Sequence, residues 1–162
     1  MPKPRIVVFD CVILVQSLIS KAGPAVQCLE LFEQGRFAVA VSKQTLSEVR
    51  EVLGRRMLRQ RYPSITDERV GDLMQLLLYR GRVFRTVRRH FQYARDPDDE
   101  PYLNLAIEAG ADFIVTRDHD LLDLARWDTE HGRDFQKRFS HIHIVDPVAF
   151  LELLREEDAR TE

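Results

Sequence analysis

Short, continuous apolar runs rich in β-branched residues recur along this chain, separated by stretches with helical spacing, and that alternation constrains its fold more than any other feature. Ile6-Val7-Val8-Phe9, Phe37-Ala38-Val39-Ala40-Val41, Phe113-Ile114-Val115-Thr116 and Ile142 to Val145 read as strands. They are apolar throughout, as strands covered on both faces are. Val83 to Val87 is a fifth candidate, interrupted by arginine. Between the strands, Pro24 opens a helix whose apolar side is Val26, Leu29, Leu31 and Phe32. Ser42 is placed to N-cap a helix running to about Arg59. Val70, Leu73, Met74 and Leu77 mark a helix over 67–79, and Leu103, Ala106 and Ile107 mark another over 99–109, stopped by Gly110. A short helix over 118–125 follows, then a long polar connection over 126–140, and Pro147 opens a terminal helix to about Glu156. Strands alternating with helices predict an α/β fold with a central parallel sheet, right-handed crossovers and helices on both faces. No linker or repeat divides the chain, so one domain is expected over 1–154, with a C-terminal tail at 155–162.

A chain of 162 residues buries roughly 70% of its unfolded surface, so it needs no disulfide or structural metal to hold a core. Cys11 and Cys28, with no signal-peptide pattern ahead of them, suit a reducing compartment, and a cytoplasmic location is expected. No apolar run approaches the roughly 20 residues of a bilayer span. The net charge of −2 conceals an asymmetry. Positions 50–95 hold twelve arginines against four acids, a balance of +8, whereas 96–162 hold seven basic and eighteen acidic residues, a balance of −11. Segregated charge of both signs suggests a polyanionic partner beside a site that needs carboxylates. Two solvated helical faces of opposite sign give the same pattern.

Ligands gather outside the carboxyl ends of strands in an open parallel sheet. Asp10 lies just past the first strand and Asp118 just past the one ending at Thr116, so both should stand at one sheet edge. Each could instead cap the helix that follows, but two carboxylates at one edge repel unless a cation lies between them. Glu48 falls early in the helix after the second strand, where Thr45-Leu46-Ser47-Glu48 also matches a capping box. Asp96, Asp98, Asp99 and Glu100 precede a helix whose dipole needs only one or two of them. A hard, oxygen-seeking divalent cation such as Mg²⁺ or Mn²⁺ suits such a set. The five histidines lack zinc-site spacing, and neither GxxxxGK[ST] nor GxGxxG is present. Cys11 adjoins a carboxylate, which opposes a thiolate nucleophile.

In IVVFDCVILVQSLIS, VSKQTLSEVREVL, DPDDEPYLNLAIEAGADFIVTRDHDLL and IHIVDPVAFL, the chain resembles the PIN-domain ribonucleases, in particular the toxin branch of bacterial toxin–antitoxin systems. The resemblance implies a three-layer α/β/α PIN-like domain that cuts single-stranded RNA with Mg²⁺ or Mn²⁺. By motif it assigns Asp10, Glu48, Asp99 and Asp118 as catalytic metal ligands, Asp120 as a further ligand, and Thr116 and Glu100 as secondary members. It also implies an antitoxin protein as partner and a homodimer. On this reading the arginine-rich stretch steers RNA, with Arg55, Arg59, Arg88 and Arg89 as first candidates and Tyr62, Phe91 or Tyr93 for base stacking. Val12 stands where the family usually carries Asn, and Arg117 where Gly is common. A non-catalytic RNA- or protein-binding module of the same fold is therefore the second reading. An aspartate-based phosphatase would need a second Asp at position 12, which valine excludes.

Overall fold

The protein is described here by a computed structural model covering residues 3–162. Five parallel strands form one sheet in the order β3-β2-β1-β4-β5, with β1 at Ile6–Phe9, β2 at Ala38–Ser42, β3 at Arg82–Phe84, β4 at Phe113–Val115 and β5 at His143–Val145. Strands β1 and β4 are buried throughout, which is why their sequences are apolar without alternation. The edge strand β3 is largely exposed, so it carries an arginine and ends at Phe84, short of the expected Val87. Helices cover both faces, giving the three-layer α/β/α arrangement. On one face, Phe9, Phe37, Phe113 and Phe150 meet edge to face with centroids 5.2–6.5 Å apart, locking the sheet to the C-terminal helix.

The helices are α1 (Cys11–Ile19), α2 (Pro24–Glu33), α3 (Lys43–Leu53), α4 (Arg56–Arg61), α5 (Asp67–Arg80), α6 (Glu100–Ala109), α7 (His119–Leu122), α8 (Glu130–Arg138) and α9 (Pro147–Thr161). Four features depart from the expectations. First, α1 has no amphipathic stripe because six of its nine residues are buried, so spacing could not reveal it. Second, the helix expected to reach Arg59 stops at Leu53, where Gly54 caps it and the extended Arg55 restarts the chain as α4. Third, the supposed polar connection contains α8, pinned by the buried Phe135 and capped by Thr129, whose hydroxyl accepts from the Gly132 N–H at 3.0 Å. A Cβ at Gly132 would stand 1.9 Å from the Arg126 carbonyl oxygen, so only glycine allows this turn to close. Fourth, α9 continues past Glu156 to Thr161, held by ion pairs from Arg5 to Glu157 and from Arg36 to Asp158. No single described helix is long and apolar enough to cross a membrane.

Strand order reverses at β1: the chain moves outward through β2 and β3, then returns to place β4 on the other side of β1. The crevice at such a switch point is where open α/β sheets hold ligands. The register pairs Phe9 with Val115, so the residues that follow these two strands emerge side by side.

Candidate metal centre

Asp10 and Thr116 are the first consequence of that register. Thr116, fully buried, donates from Oγ1 to Asp10 Oδ2 at 2.7 Å and accepts the Asp118 backbone N–H at 3.0 Å. One hydroxyl thus ties together the two acids that leave neighbouring strands. Asp10 occupies the N-cap position of α1 without capping it through its side chain. Asp118 does cap: its Oδ1 accepts the Asp120 N–H at 2.8 Å. The capping alternative is therefore absent for Asp10 and realised by one oxygen of Asp118.

Glu48 is released from its alternative role. The capping box of α3 is formed by Ser42 and Thr45, with the Ser42 side chain accepting from the Thr45 N–H at 3.1 Å and the Thr45 hydroxyl accepting from the Ser42 N–H at 2.9 Å. Glu48 lies farther along the helix and accepts instead from the Tyr102 hydroxyl at 3.0 Å. Burial, followed by the charges around it, raises the Tyr102 phenol well above its ordinary pKa, so it remains a donor.

Asp96, Asp99, Asp118 and Asp120 form a carboxylate group in which each offers an oxygen within 4.8 Å of the others. Asp10 and Glu48 line the same open cleft, about 850 Å³ in volume, together with Asp96, Asp99 and Asp118. Asp96, one of the acid-rich run before α6, carries no ligand role by motif. Its only signal was its place at the head of the acid-rich run, since its participation depends on the 3-10 turn Pro97–Asp99 folding it back. Asp96 Oδ1 accepts the Asp98 N–H at 3.2 Å, fixing that turn. Arg95 bridges Asp120 and Asp123 at 2.8 Å each and partly balances the charge at the cluster's rim. Glu100 is outside this group: it pairs with Arg89 at 2.9 Å and accepts the Tyr93 N–H at 2.8 Å.

Burial governs the electrostatics. It pushes the Asp99 carboxyl up to about 8, with Asp118, Asp96 and Asp10 adding repulsion. Asp10 rises to about 6, burial outweighing the Thr116 hydrogen bond that opposes it. The Cys11 thiol is pushed up to about 12 by burial and by Glu48 and Asp10, which removes it as a nucleophile. Asp99 Oδ2 is buried and has no hydrogen-bond partner among the described residues. An orphan carboxylate oxygen facing other carboxylates lacks a positive partner, and an all-oxygen hard donor set matches a divalent cation. The residues therefore fit such an ion.

The candidate RNA-binding arginines are all engaged: Arg55 with Glu51 at 2.9 Å, Arg59 with Asp67, Arg88 with Glu108 at 3.2 Å and Arg89 with Glu100. Of these four, Arg55 lines the cleft. Phe91 and Tyr93 are buried in the core and cannot stack on bases, whereas the half-buried Tyr62 lines the cleft. Val12 also lines it and is 44% exposed, so an amide there would not be trapped in the core. Val12→Asn is accordingly expected to leave stability within about 0.5 kcal/mol and to tighten divalent-ion binding by up to roughly 10- to 100-fold through an added hydrogen-bonding group. Ion titration followed by melting checks both, and unchanged ion affinity would show that the site is complete without an amide at this position.

No curated protein sequence matches the chain. The sequence profile described as the PIN domain matches residues 6–120, from the start of β1 through Asp120. That span includes every carboxylate of the cluster and the four strands β1 to β4, whose order brings them together. The chain therefore belongs to the PIN-domain family, whose members are in general metal-dependent nucleases.

Proposed function

We propose that this protein is a Mg²⁺- or Mn²⁺-dependent endoribonuclease that cuts single-stranded RNA in the cytoplasm, as the toxin component of a toxin–antitoxin system. The observation that carries the reading is the buried, unpartnered Asp99 Oδ2 inside a four-carboxylate cluster at the sheet's switch point. Asp99, Asp96, Asp118 and Asp120 would hold the ion, with Asp10 and Glu48 facing the same cleft. A divalent ion in such a site activates water and neutralises charge on a phosphodiester. Thr116 fixes the orientation of Asp10 by taking one oxygen and leaving the other for a ligand. Tyr102 does the same for Glu48. Arg55 on the cleft wall would draw the phosphate backbone toward the acids. Arg55, like Arg59, Arg88 and Arg89, would reach RNA only by exchanging its present ion pair for phosphate contacts. An antitoxin protein and a homodimeric state belong to the same reading, and co-expression and solution mass measurements address them.

The deciding experiment is incubation of single-stranded RNA with the protein in Mg²⁺, Mn²⁺ or EDTA. Internal cleavage with either ion and none in EDTA is expected. An ion supplied at about 100 times its Kd should also stabilise the fold by about 2.7 kcal/mol, a rise of about 5–10 °C for a domain of this size. Ion binding and RNA binding without cleavage would favour the non-catalytic module, to which the exposed Val12 lends support.

A further inference from the structure

The acidic cluster fills only part of its cleft. A cation with six waters at about 30 Å³ each occupies roughly 180 Å³, whereas the cleft measures about 850 Å³. The wall formed by α1, α3 and α4 carries Glu48 but is otherwise largely apolar. Val12 and Met57 are exposed there, Met57 to 83%, and Ile19, Val52 and Tyr62 are half-buried beside them. These residues give apolar surface to a cleft that carboxylates also line.

Two cations accompany this surface. The Arg61 guanidinium lies 5.5 Å from the centroid of the Tyr62 ring, and Arg55 lines the same cleft. Apolar surface, a polarisable thioether and an aromatic ring carrying a guanidinium suit a flat π-system better than they suit phosphate or water. Cations beside that surface and a cation-seeking cluster in the same cleft suit an attached phosphodiester. A strip for a protein helix would require apolar surface without reference to the acids, whereas here the two share one cleft.

We infer that the α1–α3–α4 wall is a nucleobase subsite, on which one unpaired base of a single-stranded nucleic acid lies over Val12, Met57 and Tyr62 while Arg55 and Arg61 hold the flanking phosphates. The inference rests on the nuclease reading and adds where, and by which face, the substrate is gripped. A paired base presents no free π-face, so the subsite selects single strands by shape. It reads little sequence, because every base offers such a face.

The test compares a short fluorescein-labelled single-stranded RNA with an abasic strand of the same length. Both carry the same phosphates, so repulsion from the acids cancels and the difference isolates the bases. Anisotropy titrations use the full-length Asp99→Asn protein in EDTA, where no strand is cut. The base-bearing strand is expected to bind at least about fivefold tighter. In the added Met57→Ala/Tyr62→Ala background that preference should largely vanish while abasic affinity stays the same. Met57→Ala alone, at a mostly exposed position, should reduce the preference without lowering the melting temperature. Equal binding of the two strands, or a preference that survives both substitutions, overturns the subsite. If wild-type protein nevertheless cleaves RNA with added ion, the nuclease reading stands without the subsite. Failure to bind either strand, together with absence of cleavage, removes both. A surface that ignores bases but binds an apolar peptide would assign the wall to a protein partner and also overturn the inference.

Discussion

Asp99→Asn is expected to make the ion-free protein more stable at pH 8 and, in the same molecule, to reduce RNA cleavage by more than about 100-fold, since even residues that only support ligands typically contribute 10- to 100-fold. Asp99 is buried, its Oδ2 has no hydrogen-bond partner among the described residues, and burial with three neighbouring carboxylates pushes its pKa up to about 8. A carboxyl whose folded pKa lies above its unfolded value binds protons more tightly when folded. Its contribution is full below about pH 4 and is lost as pH rises through about 8. The ion-free wild type should therefore lose stability across that window. Asp10, raised to about 6, acts in the same direction over the lower part of it. Replacing Asp99 with a neutral residue flattens the profile. Relief of an uncompensated buried acceptor is worth about 1–3 kcal/mol, or several degrees of melting temperature at 2–4 °C per kcal/mol for a domain of about this size. Added Mg²⁺ or Mn²⁺ should reverse the order by stabilising the wild type much more than the variant. Melting both proteins at pH 5 and pH 8, with EDTA or with ion, checks this. A variant less stable than wild type at pH 8 in EDTA, or equally stabilised by ion, would disprove the assignment of Asp99.

Thr116→Val should act in the opposite sense on stability and shift the pH dependence of cleavage upward. Valine matches threonine in shape but cannot donate to Asp10, the bond that joins the end of β1 to the turn after β4, or accept from the Asp118 N–H, the bond that closes that turn. Loss of a buried hydrogen bond to a charged group costs about 1.5–3 kcal/mol. The Thr116 hydrogen bond lowers the Asp10 pKa against the larger effect of burial. Without it that pKa rises further above 6. The stability deficit should therefore be smallest in acid, where Asp10 is protonated in both proteins, and should grow as pH increases. Cleavage should fall about 10- to 100-fold, with the acid limb of the rate profile displaced to higher pH and partial recovery in alkaline buffer. A uniform loss at every pH would reduce Thr116 to a packing residue.

The residues differ in how far they could be read without the fold. Asp10 and Asp118 were legible because each follows a strand whose apolar run is unmistakable, and strand ends define the ligand side of a parallel sheet. Glu48 was ambiguous. An N-cap at Ser42 and a capping box over Thr45 to Glu48 were both open until the helix start at Lys43 made Ser42 and Thr45 the capping pair. The arginines were legible as charge but not as partners, since an ion pair such as Arg88 with Glu108 depends on elements far apart in the chain meeting. Phe91 and Tyr93 carried no periodicity that could place them. They are buried because α8 folds over them, bringing the Phe135 ring to 5.4 Å from that of Phe91.

By itself the sequence determined the layered α/β architecture, the strand positions and the sheet edge that carries the acids, because these follow from local apolar patterning, helix stops and the sidedness of a parallel sheet. Only the tertiary structure decided that Asp96 joins the cluster, that Tyr102 orients Glu48 across 54 positions of chain, and that Val12 faces a cleft rather than the core. It likewise decided that 11–19 and 130–138 are helical, one buried on nearly every side and the other held by few apolar contacts. The physical reason is common to these cases. Local patterning records whether a residue is buried, but its partner across the sheet is fixed by strand order, and the return of β4 to the side of β1 is an outcome of packing the whole domain.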